Sequence, residues 1–257
     1  MLRNSAYNQH SAAPGIGKKS IFQDPFGNII FFKRMLIGLI GIASYRRLNI
    51  SNKLHLEGMK HLLDLPDNNV IFVANHQTYY ADVIGIFHVF IAAGWGMKNV
   101  NNPLYLLWPR ANSYYIAAEE TMQDSGWLPK LFSYAGAVTV RRAWRHKGND
   151  VQRNSDIKAP AKIKKALKDG WVINFPQGTT SPDAPIRKGT SNIIKALKPI
   201  VVPIQIDGFR KAFGKKGLSF KNKGTQLTIK IGEPTRFDSN ASVADIQEYI
   251  EGKLLNR

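Results

Sequence analysis

Apolar and polar positions fall into short blocks along the chain, and the blocks alternate between strand-like and helix-like periods. Runs rich in β-branched and aromatic residues at 53–57, 70–74, 114–118, 137–140, 171–175, 200–206 and 226–231 predict strands. Between and after them, segments with apolar residues at helical spacing predict helices at 82–93, 127–134, 159–168, 189–197 and 243–255. Ser242 or Asn240 is placed to cap the last of these. Several strands are continuous apolar runs, as expected where helices cover both faces of a sheet. The pattern predicts an α/β protein with a mostly parallel sheet flanked by helices. There is no internal repeat and no low-complexity tract.

The first 47 residues depart from this alternation. Residues 1–28 are polar, mixed and Gly/Pro-bearing, and read as a loosely ordered arm. Residues 29–47 carry an apolar run whose uninterrupted part, 35–43, falls short of the ~20 residues that span a bilayer. Lys33 and Arg34 cut the run on one side, and Arg46 and Arg47 follow it on the other. An apolar helix with basic flanks suits the interface of an anionic membrane, although a core helix would carry the same run. The expectation is an interfacial helix at 29–47 followed by an α/β domain at 48–257. The protein would then be membrane-associated at the cytoplasmic face, as a peripheral or monotopic protein.

Composition narrows the chemistry. The 257 residues contain no cysteine, which excludes disulfides, thiolate metal sites and thiol nucleophiles. His55, His61, His88 and His146 lack partners at ligand spacing, so no metal and no bound cofactor is expected. The formal charge is +18, a balance that attracts polyanions. Residues 141–168 hold ten Lys/Arg against two acids, and 207–230 hold seven against Asp207 alone. Each cluster is a solvated face or a binding surface. The stretch 208–224 is basic and Gly-rich, and reads as a surface loop or hairpin. With five Trp and nine Tyr, a nucleic-acid-binding protein is a competing class. No nucleic-acid module is recognisable, and the apolar helix would have no purpose there, so no nucleic-acid partner is expected.

Two polar turns follow predicted buried strands. Asn75-His76-Gln77-Thr78-Tyr79-Tyr80-Ala81-Asp82 follows 70–74 and leads into a helix. It delivers a histidine and an aspartate to the carboxyl end of a strand, where open α/β sheets place their ligands. A base with its orienting carboxylate can activate a hydroxyl for attack. Asn174-Phe175-Pro176-Gln177-Gly178-Thr179-Thr180-Ser181 repeats the arrangement after 171–173, and offers hydroxyls and backbone donors to an anion or oxyanion. Arg187 and Lys188 add cations beside the next helix N-terminus.

Taken in order, these turns resemble the blocks of the glycerolipid acyltransferases, the 1-acylglycerol-3-phosphate acyltransferase (PlsC-like) family. That family's pattern is His-x4-Asp after a strand, Gly-x-x-x-Val-x-Arg, Phe-Pro-Glu-Gly-Thr-Arg-Ser, and an apolar strand with Val-Pro. Here the later blocks read Gly136-Ala137-Val138-Thr139-Val140-Arg141-Arg142, Phe175-Pro176-Gln177-Gly178-Thr179-Thr180-Ser181 and Val201-Val202-Pro203-Ile204, collinear from about 54 to 206. The resemblance implies an O-acyltransferase that moves a fatty acyl group from acyl-CoA or acyl-carrier protein to the hydroxyl of a lyso-lipid such as 1-acylglycerol-3-phosphate. It implies His76 as base, Asp82 as its orienting partner, and backbone amides near Gly178 and Thr179 as oxyanion donors. Substrate contacts would fall on Arg142, Phe175, Pro176, Gln177, Gly178, Thr179, Thr180, Arg187 and Lys188.

Three positions depart from the pattern. Five residues separate His76 from Asp82 instead of four, Gln177 replaces a glutamate, and Thr180 replaces an arginine. In the family that arginine is thought to hold the acceptor's phosphate. Its absence admits a lyso amino-acid lipid without phosphate as the acceptor, and the altered acceptor block also admits a non-catalytic lipid-binding relative.

Overall fold

The structure, a computed structural model, describes residues 22–122, 127–141, 145–146, 149–150 and 156–255. Within these the chain runs through α1 (Ile30–Tyr45), β1 (Lys53–Glu57), α2 (Lys60–Leu63), β2 (Val70–Ala74), α3 (Ala81–Gly94), β3 (Ser113–Ala118) and α4 (Glu119–Met122). It continues through α5 (Trp127–Tyr134), β4 (Ala137–Val140), the short pair β5 (Arg145–His146) and β6 (Asn149–Asp150), and α6 (Ala159–Asp169). The last elements are β7 (Trp171–Asn174), α7 (Lys188–Leu197), β8 (Ile200–Asp207), α8 (Phe209–Ala212), β9 (Gln226–Ile231) and α9 (Val243–Leu254).

Among the described residues, seven strands form one sheet in the order β1-β9-β8-β2-β7-β3-β4. From β8 to β4 every pairing is parallel. β9 then runs antiparallel to β8, and β1 parallel to β9. The expected mostly parallel α/β sheet is therefore present.

Its two faces are built by strict alternation. Val70, Phe72 and Ala74 of β2 point into one apolar cluster with Val83, Ile86 and Phe90 of α3 and Ile37 of α1. Ile71 and Val73 point into another with Ile163 of α6, Ile194 of α7 and Ile250 of α9. Both faces of β2 are covered, which is why its five residues form an unbroken apolar run. At the far end, Ser242 caps α9 in a reciprocal box with Asp245, an arrangement that stabilises a helix by about 1 kcal/mol.

Register places the chemistry. Val73 of β2 lies opposite Asn174 of β7, and Ala74 lies opposite Ile204 of β8. The turns that follow β2 and β7 therefore leave the sheet side by side at its carboxyl edge.

Helix α1 is two-faced. Lys33, Ile37, Gly38, Gly41 and Ser44 form a buried stripe, spaced as one helix face requires. Phe31, Phe32, Met35, Leu39 and Ile42 on the other side are exposed by 48% to 62%. Lys33 thus does not join a basic flank facing outward. Helical spacing turns it into the body, where its Nζ lies 3.1 Å from Asp24 Oδ2 and 3.9 Å from the Tyr114 ring centroid. Of the expected arm, residues 1–21 lie outside the described residues. Residues 22–28 form a turn in which Asp24 accepts from the amides of Phe26 and Asn28. At Gly41 the helix approaches Leu106 so closely that a β-carbon would lie 2.6 Å from Leu106 Cδ2.

A buried polar triad fixes the same helix at its other end. His88 of α3 meets Ser44 Oγ through Nε2 at 2.8 Å and Tyr105 OH through Nδ1 at 2.6 Å. The Ser44 hydroxyl is committed to the carbonyls of Ile40 and Gly41, so it can only accept from His88. Nε2 therefore carries the proton, and Nδ1 accepts from Tyr105. Burial holds His88 neutral and lowers its pKa to about 4.

The stability consequence has a definite sign. Between pH 6.5 and about 4 the unfolded chain binds a proton at His88 that the folded chain refuses. Stability is complete above pH 6.5 and should fall across that window by about 3 kcal/mol. Denaturant midpoints measured from pH 7 to pH 4 should show this acid limb. In His88→Gln, which keeps a donor and an acceptor without titrating, the limb should be shallower; an unchanged limb would remove His88 as its source.

Candidate active site

The turn after β2 is organised around one carboxylate. Asp82 lies in the first turn of α3, fully buried. Its Oδ2 accepts from His76 Nδ1 at 2.9 Å, the Gln77 amide at 2.5 Å and the Thr78 amide at 2.9 Å. Its Oδ1 accepts from Thr78 Oγ1 at 2.8 Å. The five intervening residues thus fold into a ring of donors around Asp82, and the longer spacing does not separate His76 from its partner. Because Asp82 is acceptor-only, Nδ1 of His76 carries the proton and Nε2 presents a lone pair. Nε2 makes no hydrogen bond to any described residue. The ring is further held by the stacked side chain of Phe175, at 4.0 Å between centroids and 21° between planes.

Two long-range contacts seat this turn on the body. Asn75 Nδ2 donates to the Ile206 carbonyl at 2.9 Å while Asn75 Oδ1 accepts from the Ile206 amide at 2.7 Å. The side chain so extends the β2–β8 pairing beyond the strand's end. Gln77 Nε2 donates to the Ile206 carbonyl at 3.1 Å and to Asp207 Oδ1 at 3.3 Å, and Gln77 Oε1 accepts from the Arg210 amide at 3.0 Å.

The stretch 208–224, expected as a surface loop or hairpin, carries an antiparallel bridge between Phe213 and Phe220 and is part of the buttress. Phe209, Ala212 and Phe213 are buried in the core, because α8 turns its apolar residues down onto α3. Beyond them the carbonyls of Lys215 and Lys216 accept from the amides of Tyr79 and Tyr80, at 3.0 and 3.2 Å. Gly217, at φ +79°, then passes so near the dyad turn that a β-carbon would sit 2.5 Å from the Ala81 nitrogen and 2.9 Å from Thr78 Oγ1.

The turn after β7 is stiffened internally. Gln177 is buried and donates through Nε2 to the carbonyls of Pro182 and Ala184, at 3.2 and 2.8 Å. A carboxylate there would face two carbonyls without a proton to give, which suits an amide at this position. The Gly178 amide donates to the Phe175 carbonyl at 2.9 Å, so it is committed inside the loop and not presented as an oxyanion donor. Thr179 Oγ1 accepts from the Ser181 amide at 3.3 Å. The Thr180 carbonyl accepts from the Arg210 guanidinium.

A cleft of about 1270 Å³ opens beside His76, bordered by Gln77, Gln177, Asp207, Arg210, Lys211 and Lys223 among others. The predicted cations fall differently. Arg187 and Lys188 open α7, with the Arg187 amide on the Pro176 carbonyl at 3.0 Å, and neither borders this cleft. Arg142 lies outside the described residues, as do Lys147 and Arg153 of the 141–168 basic cluster. Arg210 belongs to the 207–230 basic cluster, which reads as a solvated face or a binding surface; its place just after a strand's carboxyl end is the signal that singles it out. No cluster of metal-ligating side chains occurs among the described residues.

The family model described as Acyltransferase matches residues 49–207, which contain both turns and β8. The chain belongs to the acyltransferase family. The acyltransferase fold also resembles the crystal structure of the 1-acyl-sn-glycerophosphate (LPA) acyltransferase, PlsC, from Thermotoga maritima. That likeness has a TM-score of 0.55 at 24% identity, over 86% of this chain and 76% of that one. Comparison with curated proteins gave no match.

The close passage of Gly217 makes this acyltransferase sensitive to a single methyl far from the histidine in sequence. Gly217→Ala should displace the dyad turn on the ångström scale, since the added carbon would sit 2.5 Å from the Ala81 nitrogen, and strain a left-handed backbone position. The expected result is a loss of turnover of about 10²-fold, the scale of an ångström-level misplacement, with the protein still folded by circular dichroism. Wild-type turnover in Gly217→Ala would show that the loop does not position the dyad.

Proposed function

We propose that the protein transfers a fatty acyl group from an acyl thioester, acyl-CoA or acyl-carrier protein, to the hydroxyl of a lyso-lipid at a membrane surface. The observation that carries this reading is the His76–Asp82 pair, with Nδ1 bound at 2.9 Å and Nε2 left to the cleft. In this mechanism the acceptor hydroxyl gives its proton to Nε2 as its oxygen attacks the thioester carbonyl. Asp82 stabilises the imidazolium and fixes its orientation. The new C–O ester bond forms, the C–S bond breaks, and the thiolate leaves as a thiol with the proton from His76. No enzyme nucleophile is needed, in keeping with a chain that has no cysteine.

The outer face of α1 supports a membrane setting. Its exposed apolar side chains adjoin exposed Leu107 and Trp108, and Arg34 stacks over the Trp108 ring at 4.1 Å. Arg46 and Arg47 follow at its end. Such a helix lies roughly 5–10 Å into the headgroup boundary with its cations toward anionic lipid. Among the described residues no helix is long and apolar enough to cross a membrane. The acceptor is a lyso-lipid such as 1-acylglycerol-3-phosphate. The uncharged Thr180 favours a second acceptor, a lyso amino-acid lipid.

Two experiments test this. Purified protein supplied with acyl-CoA or acyl-carrier protein should acylate a lyso-lipid. His76→Ala should lose roughly 10²–10⁴-fold of that rate, the contribution of a general base. Equal turnover in the mutant would sink the mechanism. In vesicle sedimentation with anionic lipid, the double substitution Phe32→Asp, Leu39→Asp should release the protein into the supernatant, and retention on vesicles would rule out α1 as the docking face.

A further inference from the structure

The cleft beside His76 contains one cation that the fold itself holds in place. Arg210 sits half-buried on α8, two residues before buried Ala212 and directly after buried Phe209. Its amide is fixed by Gln77 Oε1 of the dyad turn, and its guanidinium by the carbonyl of Thr180 in the turn after β7. Arg210 thus bridges the two turns that leave the sheet side by side. A guanidinium has five N–H donors in a planar fork, and the carbonyl of Thr180 engages the Nη2 end alone. Arg210 borders the cleft, its guanidinium makes no other hydrogen bond to a described residue, and Lys211 and Lys223 add charge there. The cleft's carboxylates, Asp183 and Asp207, do not pair with Arg210, and Asp207 instead accepts from Gln77.

We infer that Arg210 is the headgroup-binding residue of this cleft, taking the phosphate or carboxylate of the acceptor in a bidentate contact while His76 addresses its hydroxyl. The ligand's being an acyl acceptor rests on the acyl-transfer reading above; the anion site itself does not. Position 180 carries no charge of its own, and the fork reaches it from the opposite turn. Headgroup selection is thereby placed on the same residue that ties the two turns together.

The test combines binding without thioester and steady-state kinetics. The probes are a short-chain lysophosphatidate, a lyso amino-acid lipid with a free carboxylate, and a neutral monoacylglycerol. Wild-type protein should bind at least one anionic probe more tightly than the neutral one, and the preferred anion identifies phosphate or carboxylate as the natural group. Arg210→Gln should weaken that anionic probe by about 10-fold or more, the scale of a charge-assisted pair, and leave the neutral one unchanged. Arg210→Lys should fall between. Thr180→Arg added to Arg210→Gln should recover part of the affinity, because the backbone of residue 180 is in contact with the Arg210 guanidinium. In turnover, the acceptor KM should rise about 10-fold while kcat and the thioester KM stay within about 2-fold.

Unchanged anion binding in Arg210→Gln, equal loss for the neutral lipid, or a loss confined to the thioester KM would each overturn the inference. The two readings fail separately. Arg210-dependent anion binding without any acyl transfer would discard the acyl-transfer reading and keep the site. Acyl transfer indifferent to Arg210 would do the reverse.

Discussion

The carboxylate of Asp82 is the interaction on which the rest of the candidate site depends. A buried carboxylate must be surrounded by donors, and here four converge on it from a stretch of only three residues. Satisfying that demand forces the chain between β2 and α3 to wrap around the helix's first turn. The wrapping fixes the histidine tautomer, and the fixed tautomer gives His76 a free lone pair. Local electrostatics thus decides backbone shape first and chemistry second. The position at the start of α3 adds the favourable end of the helix dipole.

Helix α1 solves a different problem with the same economy of means. One stripe is anchored by a buried ion pair at its beginning and a histidine triad near its end, with glycine admitting Leu106 between them. Polar anchors inside an apolar junction specify one rotation of the helix, since any other would part Lys33 from Asp24 and leave buried His88 without Ser44. With the rotation fixed, the outward stripe is fixed too. The exposed apolar face is therefore a defined surface and not a consequence of loose packing.

Much of this was legible in the sequence. Continuous apolar runs announced the buried parallel strands, and the polar turns after 70–74 and 171–174 announced the edge where chemistry gathers. The extra residue between His76 and Asp82 was not interpretable from spacing, because its accommodation depends on Tyr79 and Tyr80 binding carbonyls 136 residues later. Lys33 read as a membrane flank because periodicity in a nearly uniform apolar segment does not say which stripe faces inward. Residues 208–224 read as a surface loop or hairpin for the complementary reason: a dense run of lysines hid Phe209 and Phe213, whose spacing is that of a single buried helical turn. Arg210 disappeared into the same run. What the sequence withheld was in each case a contact between distant segments.

The pairing of Asn75 with Ile206 carries a consequence for how activity arises in time. His76 and Asp82 are neighbours in the chain and can meet early, but the platform beneath them spans 131 residues and exists only once β8 has docked beside β2. Closing so long a loop is among the later and slower events in building such a sheet. A chain still emerging from synthesis, or one clipped before β8, would therefore hold both members of the dyad yet lack the seat that aims them.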